Sequence, residues 1–502
     1  MDRYDQVVIG SGVSGLTASV LLAQGGRKVL LLEKAPTIGG ALTRFYREGV
    51  PFDTGFHFTG GFADDGLLHE MSKVLGIRDA IVPIVLSPDA AFRFIFEEDG
   101  RVYDFPYGIP RLLERLQEYF PADAAGIRQY FGMLKQVWDR TGAMELAAVL
   151  SSAMSTAVIN EDHTSLQSVL DDLLDSPYLK TLVSAFCMCY GVKPTEVSFA
   201  NHSRMCHGLY ESVARIEGGG GAFIQAFARR LTELGVDVRC GRHVAECADI
   251  RGDAVHRFIL NTGEEVELES CVLTIHPKEV LKILPKRLLS PAFVTRISDF
   301  ESSCGFFTVF GVVEAGCKDD AIEKSIVSLL PSTDVNEMLD PWHEGDSALV
   351  VIGSVEDVAG VPVKTRCAFE PSFMTEVAEW TDSRTGRRSP GYLEYKRKRA
   401  ARMQERMNAL LDEQKGCFRL RASASVLTYR DHLHSPDGSA YGVKQKLGQI
   451  NLLGKLPVRN MYIAGQSAVL PGVLGAMLSS FFVTRAVLGK ATFGNILLTG
   501  GC

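Results

Sequence analysis

The chain of 502 residues has no run of about 18 consecutive apolar residues, which excludes a helix crossing a bilayer. It has no positive surplus either: 53 Lys and Arg stand against 60 Asp and Glu, and a net charge of −7 offers nucleic acid no general attraction. Eleven cysteines, an odd number, show no disulfide or metal-ligand spacing. Cys187 and Cys189 are too close together for CxxC chemistry, so buried packing and reduced thiols in a cytosolic setting are expected. His432 and His434 lack a carboxylate or thiol partner nearby in sequence, so no metal site is expected. A secretory leader is not expected, because the apolar N-terminal run is broken by glycines and preceded by Asp2 and Asp5. The implied location is cytoplasmic. The length exceeds the roughly 250–300 residues that one core serves, so two lobes are expected.

What is present is concentrated at the start, where VVIGSGVSGLTASVLLAQGGRKVLLLEK runs from Val7 to Lys34. Gln6 to Ile9 reads as a buried parallel strand that breaks at Gly10 for a tight turn. Gly12 leaves room for a pyrophosphate against the backbone. Gly15 lets a helix of about Ser14 to Gln24 pack close to the strand, with its N-terminal amides and dipole toward the phosphates. A second strand, Lys28 to Leu32, ends in Glu33, 23 positions after Gly10 and close to the spacing at which an acid meets a ribose hydroxyl. Strand, helix, strand and acid in register make a dinucleotide cradle rather than an ordinary bend. A second glycine turn, Gly39-Gly40 with Ala41, Leu42, Thr43 and Arg44, precedes FDTGFHFTGG from Phe52, which a plain nicotinamide fold does not need.

Four further segments stand out. IEGGGGAFIQAFARRLTELGVDVRC, from Ile216, predicts a helix of about Ala222 to Leu234 and a strand at Val236 to Val238. Strands at His256 to Leu260 and Glu265 to Glu269 flank an Asn261-Thr262-Gly263 turn, followed by a buried strand from Cys271 to Ile275. TYRDHLHSPDGSAYG runs from Thr428 to Gly442, and NMYIAGQSAVLPGVLG from Asn460 to Gly475.

Together with Gly39-Gly40 and FDTGFHFTGG, these segments resemble the FAD-dependent phytoene desaturase, carotenoid isomerase and retinol saturase group of the FAD-dependent amine oxidase superfamily. The resemblance implies an α/β fold: a Rossmann-like FAD-binding domain of the two-dinucleotide-binding-domain flavoprotein type, interleaved with an α+β substrate or cap domain. It assigns 1–67, 211–285 and 421–502 to the first and 68–210 and 286–420 to the second. It implies FAD as cofactor, held by Gly10, Ser11, Gly12, Ser14, Gly15, Glu33 and Lys34. The second turn adds Gly40, Ala41, Leu42 and Thr43, the backbone of Val244 meets adenine, and Gly465, Gln466, Gly472, Val473 and Leu474 close over ribitol and flavin. Gln466 departs from the Asp or Glu common at its position; its amide still donates and accepts but adds no charge.

The implied activity is oxidoreduction at carbon-carbon double bonds of a hydrophobic isoprenoid or polyene, as desaturase, saturase or isomerase. An amine oxidase is the enzymatic alternative, against which the lack of any aromatic in Ala468 to Gly475 counts. A non-catalytic lipid-binding escort on the same fold is the other, against which the intact glycine turns and Glu33 count. Flavin chemistry needs little from the protein beyond position, electrostatics and dryness. His57 and Tyr441 are the catalytic candidates, each weighed against a packing or wall role.

The cap is expected to carry helices at Leu112 to Tyr119, Ile127 to Val137 and Met144 to Ile159, and strands at Phe306 to Val313 and Ala348 to Ile352. Two stretches are candidates for peripheral membrane contact. Leu146 to Ile159 is apolar. Tyr392 to Leu411 sets Ala400, Met403, Met407, Leu410 and Leu411 on one stripe, with Lys396, Arg397, Lys398, Arg399, Arg402 and Arg406 elsewhere. Buried packing of the first and a solvated basic face on the second are the competing readings.

Overall fold

The computed structural model describes residues 2–64, 66–141, 146, 160–314, 316–317, 320–410 and 417–500. Two large sheets organise them. In the first, Asp237–Cys240, Val29–Glu33, Asp2–Ile9, Glu265–Leu273 and Met461–Ile463 lie side by side, all parallel. Val29–Glu33 is buried along its whole length, and Asp2–Ile9 becomes so toward its C-terminal end, as strands covered on both faces must be. The hairpin around Asn261 to Gly263 is present, but its second strand continues without a break into the expected strand at Cys271, giving one element, Glu265–Leu273. Its first half pairs antiparallel with Ala254–Leu260 and its last three residues pair with Met461–Ile463, so one strand carries the outer hairpin and the central sheet together.

Helices cover this sheet. Val13–Gln24 packs against Gly472–Leu488 through small side chains: the hydroxyls of Ser14 and Ser480 lie 2.6 Å apart, and Ser480 also donates to the Ser14 carbonyl at 2.9 Å. The two ends of the chain are thereby joined beside the first strand. The helix expected from Ala222 begins earlier, as Gly219–Glu233. A Cβ on Gly220 would stand 2.1 Å from the Leu42 carbonyl oxygen, so the glycines are what let this helix seat against the second glycine turn.

The second sheet runs Phe418–Ala424, Gly305–Val313, Val361–Ser372, Leu349–Val358, Ile326–Leu330, Phe92–Phe96, Val102–Phe105. Every pairing is antiparallel except that of Ile326–Leu330 with Phe92–Phe96. The helices Ile109–Tyr119 and Ala124–Arg140 appear where periodicity placed them. The expected helix at Met144 to Ile159 lies outside the described residues, Leu146 excepted.

The long helix Pro390–Leu410 lays Ala400, Met403 and Met407 against Phe307, Val309 and Val351 of the second sheet, so this part of its apolar stripe is spent on the core, while Leu411 lies outside the described residues. Its cations do not all face solvent: Arg399 pairs with Glu370 at 2.6 Å and with Glu376, and Arg406 pairs with Glu97 at 2.6 Å and Glu370 at 3.2 Å. Both guanidiniums flank the stripe and reach the buried Glu370, and the half-buried Glu97 and Glu376, on their long apolar stems. Among the described residues no helix is long and apolar enough to cross a membrane.

The cysteines depart from the sequence reading. Cys317 and Cys417 form a disulfide across 100 positions. Register explains it: Val313 pairs with Phe418 at the end of two antiparallel strands, and the Glu314 amide donates to the Cys417 carbonyl, so both cysteines lie just past paired ends. Linear spacing carries no trace of such a pairing. The other described cysteines are free.

Candidate cofactor and substrate site

At the C-terminal edge of the parallel strands the backbone is tightly determined. Gly10 has φ +96°, and a Cβ there would stand 2.9 Å from Ile275. Glu33 holds the turn between them: its carboxylate accepts from the Ser11 amide at 2.8 Å, the Ser11 hydroxyl at 2.6 Å and the Ala35 amide at 2.7 Å. The second glycine turn is hung on the first, since the Gly39 amide donates to the Ser11 carbonyl at 3.0 Å. Thr43 donates its hydroxyl to the Gly40 carbonyl and stiffens that turn from behind. From the far end of the chain, Gly465 at φ +124° donates its amide to Ser479, and Gln466 donates to the Ala440 carbonyl at 3.3 Å.

These segments surround one cavity of about 1190 Å³. Ser11, Gly12, Ser14, Glu33 and Lys34 line one part of it together with Val244, and Gly40, Ala41 and Leu42 continue the wall. Gly465, Gln466, Gly472, Val473 and Leu474 line another part. Gly10 lines it too, whereas Gly15 and Thr43 do not; these two shape the loops from beneath.

The first turns of two helices, Val13–Gln24 and Gly472–Leu488, therefore open onto the same space, and their free amides suit an anionic ligand. At Gly12 and Gly472 a Cβ would meet nothing within 4 Å, so the backbone there is open to a ligand. A cavity with this donor set, open glycine backbone at two helix N-termini and an acid at the end of the second strand, fits FAD.

The cavity continues toward the second sheet, where Phe92, Phe306 and Phe369, together with Phe186 and Tyr190, form its walls. His57 and Tyr441 both line it. The His57 ring stacks on Phe369 with centroids 5.4 Å apart, its Nε2 lies 3.8 Å from the Cys367 thiol, and burial pushes its basicity down to about 4. The imidazole is neutral at pH 7. Tyr441 stands edge-on to Phe306, and burial raises its phenol well above the ordinary range, so it too is neutral. Burial likewise pushes the Cys189 thiol up to about 12 and the His207 imidazole, stacked on Trp138, down to about 4. His432 and His434 lie on the wall, and no metal-holding group of residues exists among those described.

Several wall residues have no counterpart in the sequence reading. Thr274 donates its hydroxyl to the Ile9 and Gly10 carbonyls, both at 3.0 Å, locking the first turn onto the neighbouring strand. His276 accepts from the Lys278 amide through Nδ1, which leaves the proton on Nε2. The one legible signal was the alternation of Phe92 and Phe94 in FRFIF, which places both on one face of a strand.

Comparisons with known proteins place the chain in a flavin-dependent family. The sequence matches the family described as flavin containing amine oxidoreductase over residues 13–309. It is similar to the all-trans-retinol 13,14-reductase of Danio rerio, 21% identical over 97% of this chain and 86% of that protein. It is also similar to a chloroplastic prolycopene isomerase of Daucus carota, 23% identical over 52% of this chain and 44% of that protein. Among solved structures, an oxidoreductase from Methanosarcina mazei superposes with a TM-score of 0.63 at 14% identity, covering 96% of this chain and 99% of that one.

Proposed function

Because the chain belongs to the flavin containing amine oxidoreductase family, and is an FAD-dependent oxidoreductase, we propose that it reduces a carbon-carbon double bond of a neutral polyene held in the cap part of the cavity. The observation that carries this reading is the wall beside His57 and Tyr441: Phe306, Phe369, Phe186 and Tyr190, with the titratable groups among them held uncharged by burial. Such a wall solvates a long apolar chain, and none of the groups named carries a negative charge to meet a protonated amine. The likeness to a retinol reductase over nearly the whole chain supports the same choice.

When bound, FAD supplies hydride chemistry. The protein's own part is to hold and exclude. Amides of the Gly10 to Gly12 turn and the first turn of Gly472–Leu488 would grip the pyrophosphate, and Glu33 retains lone pairs for a ribose hydroxyl beyond those given to Ser11 and Ala35. The aromatic cap keeps water from the reacting carbon atoms, and His57 places a ring nitrogen at the wall where a proton can be delivered.

The test uses the purified protein loaded with FAD, in oxidised and chemically reduced form, incubated with all-trans-retinol and with carotenoids. A product heavier by two hydrogens, formed only by reduced protein, is expected. Unchanged mass with altered geometry would make it an isomerase, loss of two hydrogens a desaturase. Hydrogen peroxide release on amines, with polyenes untouched, overturns the reading.

A further inference from the structure

Behind His57 lies a cluster that the reading above does not use. Arg44, Asp53, Arg215, Glu356 and Arg366 converge on a separate chamber of about 40 Å³. Arg44 reaches two acids: its Nε lies 3.2 Å from Asp53 and a terminal nitrogen 2.8 Å from Glu356, all three side chains being at most 14% exposed. Glu356 also accepts from Ser354 at 2.9 Å, and Asp53 accepts from the Gly220 amide at 2.9 Å. Gathering so many ionisable groups out of water costs more than their pairing returns, so stability alone is a weak reason for the arrangement.

Two further facts give it a direction. His57 lines both this chamber and the main cavity, so its ring is the partition between them. Polar and apolar groups share the chamber's lining about equally, and since a water needs roughly 10–15 Å³ of such space, it has room for about three or four beside the charged groups. Asp53 stands on it together with His57.

We propose that water in this chamber joins Asp53 to His57 and carries protons between them, making Asp53 a positioning residue that stores the proton His57 delivers to the cavity. Around Asp53 the charged and titratable groups are Arg44, Arg215, Glu356, Arg366, Cys367 and His57. Burial pushes its carboxyl up to about 7, against the pull of Arg44 and the Gly220 amide and with the push of Glu356, so it carries a proton in the range where an enzyme would spend one. Cys367 is held protonated chiefly by burial.

The relay rests on the proposed double-bond reduction only in its last step. There the electron pair would come as a hydride from reduced flavin, and the second carbon would take the proton from one ring nitrogen of His57. The other ring nitrogen simultaneously receives a proton from chamber water, so the imidazole never carries charge in a site that disfavours it. Asp53 gives its proton to that water and remains as a carboxylate beside Arg44; before the next turnover solvent protonates the cavity-side nitrogen of His57 and the other ring nitrogen returns its proton through the chamber water to Asp53, which restores both the acid and the starting tautomer.

The test reads the proton first and the reaction second. Infrared difference spectra of the full-length, FAD-loaded protein, taken as pH is raised, should show a protonated-carboxyl band that disappears with a midpoint near neutrality. Asp53→Asn should abolish the band and His57→Gln should displace it. A band that survives Asp53→Asn, that is missing from the parent protein below neutral pH, or that ignores His57→Gln overturns the proposal. If Asp53→Asn does not fold, Asp53→Glu should keep a band at a shifted position.

The second arm uses reduced protein with all-trans-retinol. Asp53→Asn should slow reduction by roughly a hundredfold and remove its dependence on pH, with FAD affinity unchanged. A slowed variant that keeps the parent's pH profile marks a merely structural role and overturns the proposal. If the parent protein does not reduce the retinoid, the reading of the reaction fails, and the infrared bands still decide the proton chain.

Discussion

Gly15 lies directly beneath Gly10: a Cβ on Gly15 would stand 1.8 Å from the Gly10 carbonyl oxygen and 2.8 Å from the Thr274 hydroxyl. Helix and strand meet there at backbone distance. Gly15→Ala must drive Val13–Gln24 off the first strand, so a loss of at least about 1–3 kcal/mol is expected together with loss of FAD. At Gly12 the space is open, so Gly12→Ala should leave the apoprotein's melting temperature nearly unchanged while weakening FAD binding. Thermal unfolding without cofactor and FAD titration by fluorescence check the pair. Equal destabilisation of both apoproteins would show that Gly12 serves packing, not the ligand.

Glu33 is engaged before any ribose arrives, because both of its oxygens accept from Ser11 and Ala35. Glu33→Gln turns one acceptor into a donor facing an N–H, and such a buried mismatch costs about 1–3 kcal/mol. The apoprotein should therefore melt lower, and Ser11→Ala, which keeps the backbone bond, should do less harm. Calorimetry of the two apoproteins decides; an unaffected Glu33→Gln apoprotein would confine this acid to the cofactor.

The glycine turns and their helices were readable because each requirement is local: a strand must stop at Gly10, and a helix must approach at Gly15. What was unreadable depends on register between distant segments. Cys317 meets Cys417 only because Val313 pairs with Phe418, and Arg399 and Arg406 turn inward only because Glu370 of the sheet stands beneath their helix. The chamber behind His57 draws its walls from residues as far apart as Arg44 and Arg366, each unremarkable in its own stretch of sequence. His57 itself was visible as a candidate, but its neutrality comes from Phe369 and the surrounding burial, which no linear pattern reports.

Burial also sets how stability responds to acid. His57, His207 and His276 are pushed down to about 4 and His202, held between Tyr130 and Tyr190, to about 3. On unfolding each returns to its ordinary value near 6.5, so below that pH the unfolded chain binds more protons than the folded one and stability falls as pH drops toward about 4. Asp53 acts in the opposite sense: its raised carboxyl makes stability fall as pH rises from its ordinary 3.8 toward about 7. Four histidines outweigh one carboxyl in the shared window, so the melting temperature should decline on acidification from about pH 6.5. His57→Gln should flatten that decline, and a slope identical to the parent's would mean that His57 already titrates normally in the folded state.

The disulfide closes a loop of 100 residues at the ends of Gly305–Val313 and Phe418–Ala424. Breaking a cross-link over so long a span typically costs about 2–5 kcal/mol, chiefly because the unfolded chain regains freedom. Cys317→Ser should lower the urea midpoint of the oxidised protein, and reductant should lower the parent to the same value while leaving the variant where it is. Phe418–Ala424 is an edge strand held to the sheet by Gly305–Val313, whose Thr308 meets Tyr429 on the cavity wall, so loosening it should also weaken retention of an apolar ligand. A parent protein indifferent to reductant would show that the two thiols stay unjoined in solution, and the ligand effect should then vanish with the stability effect.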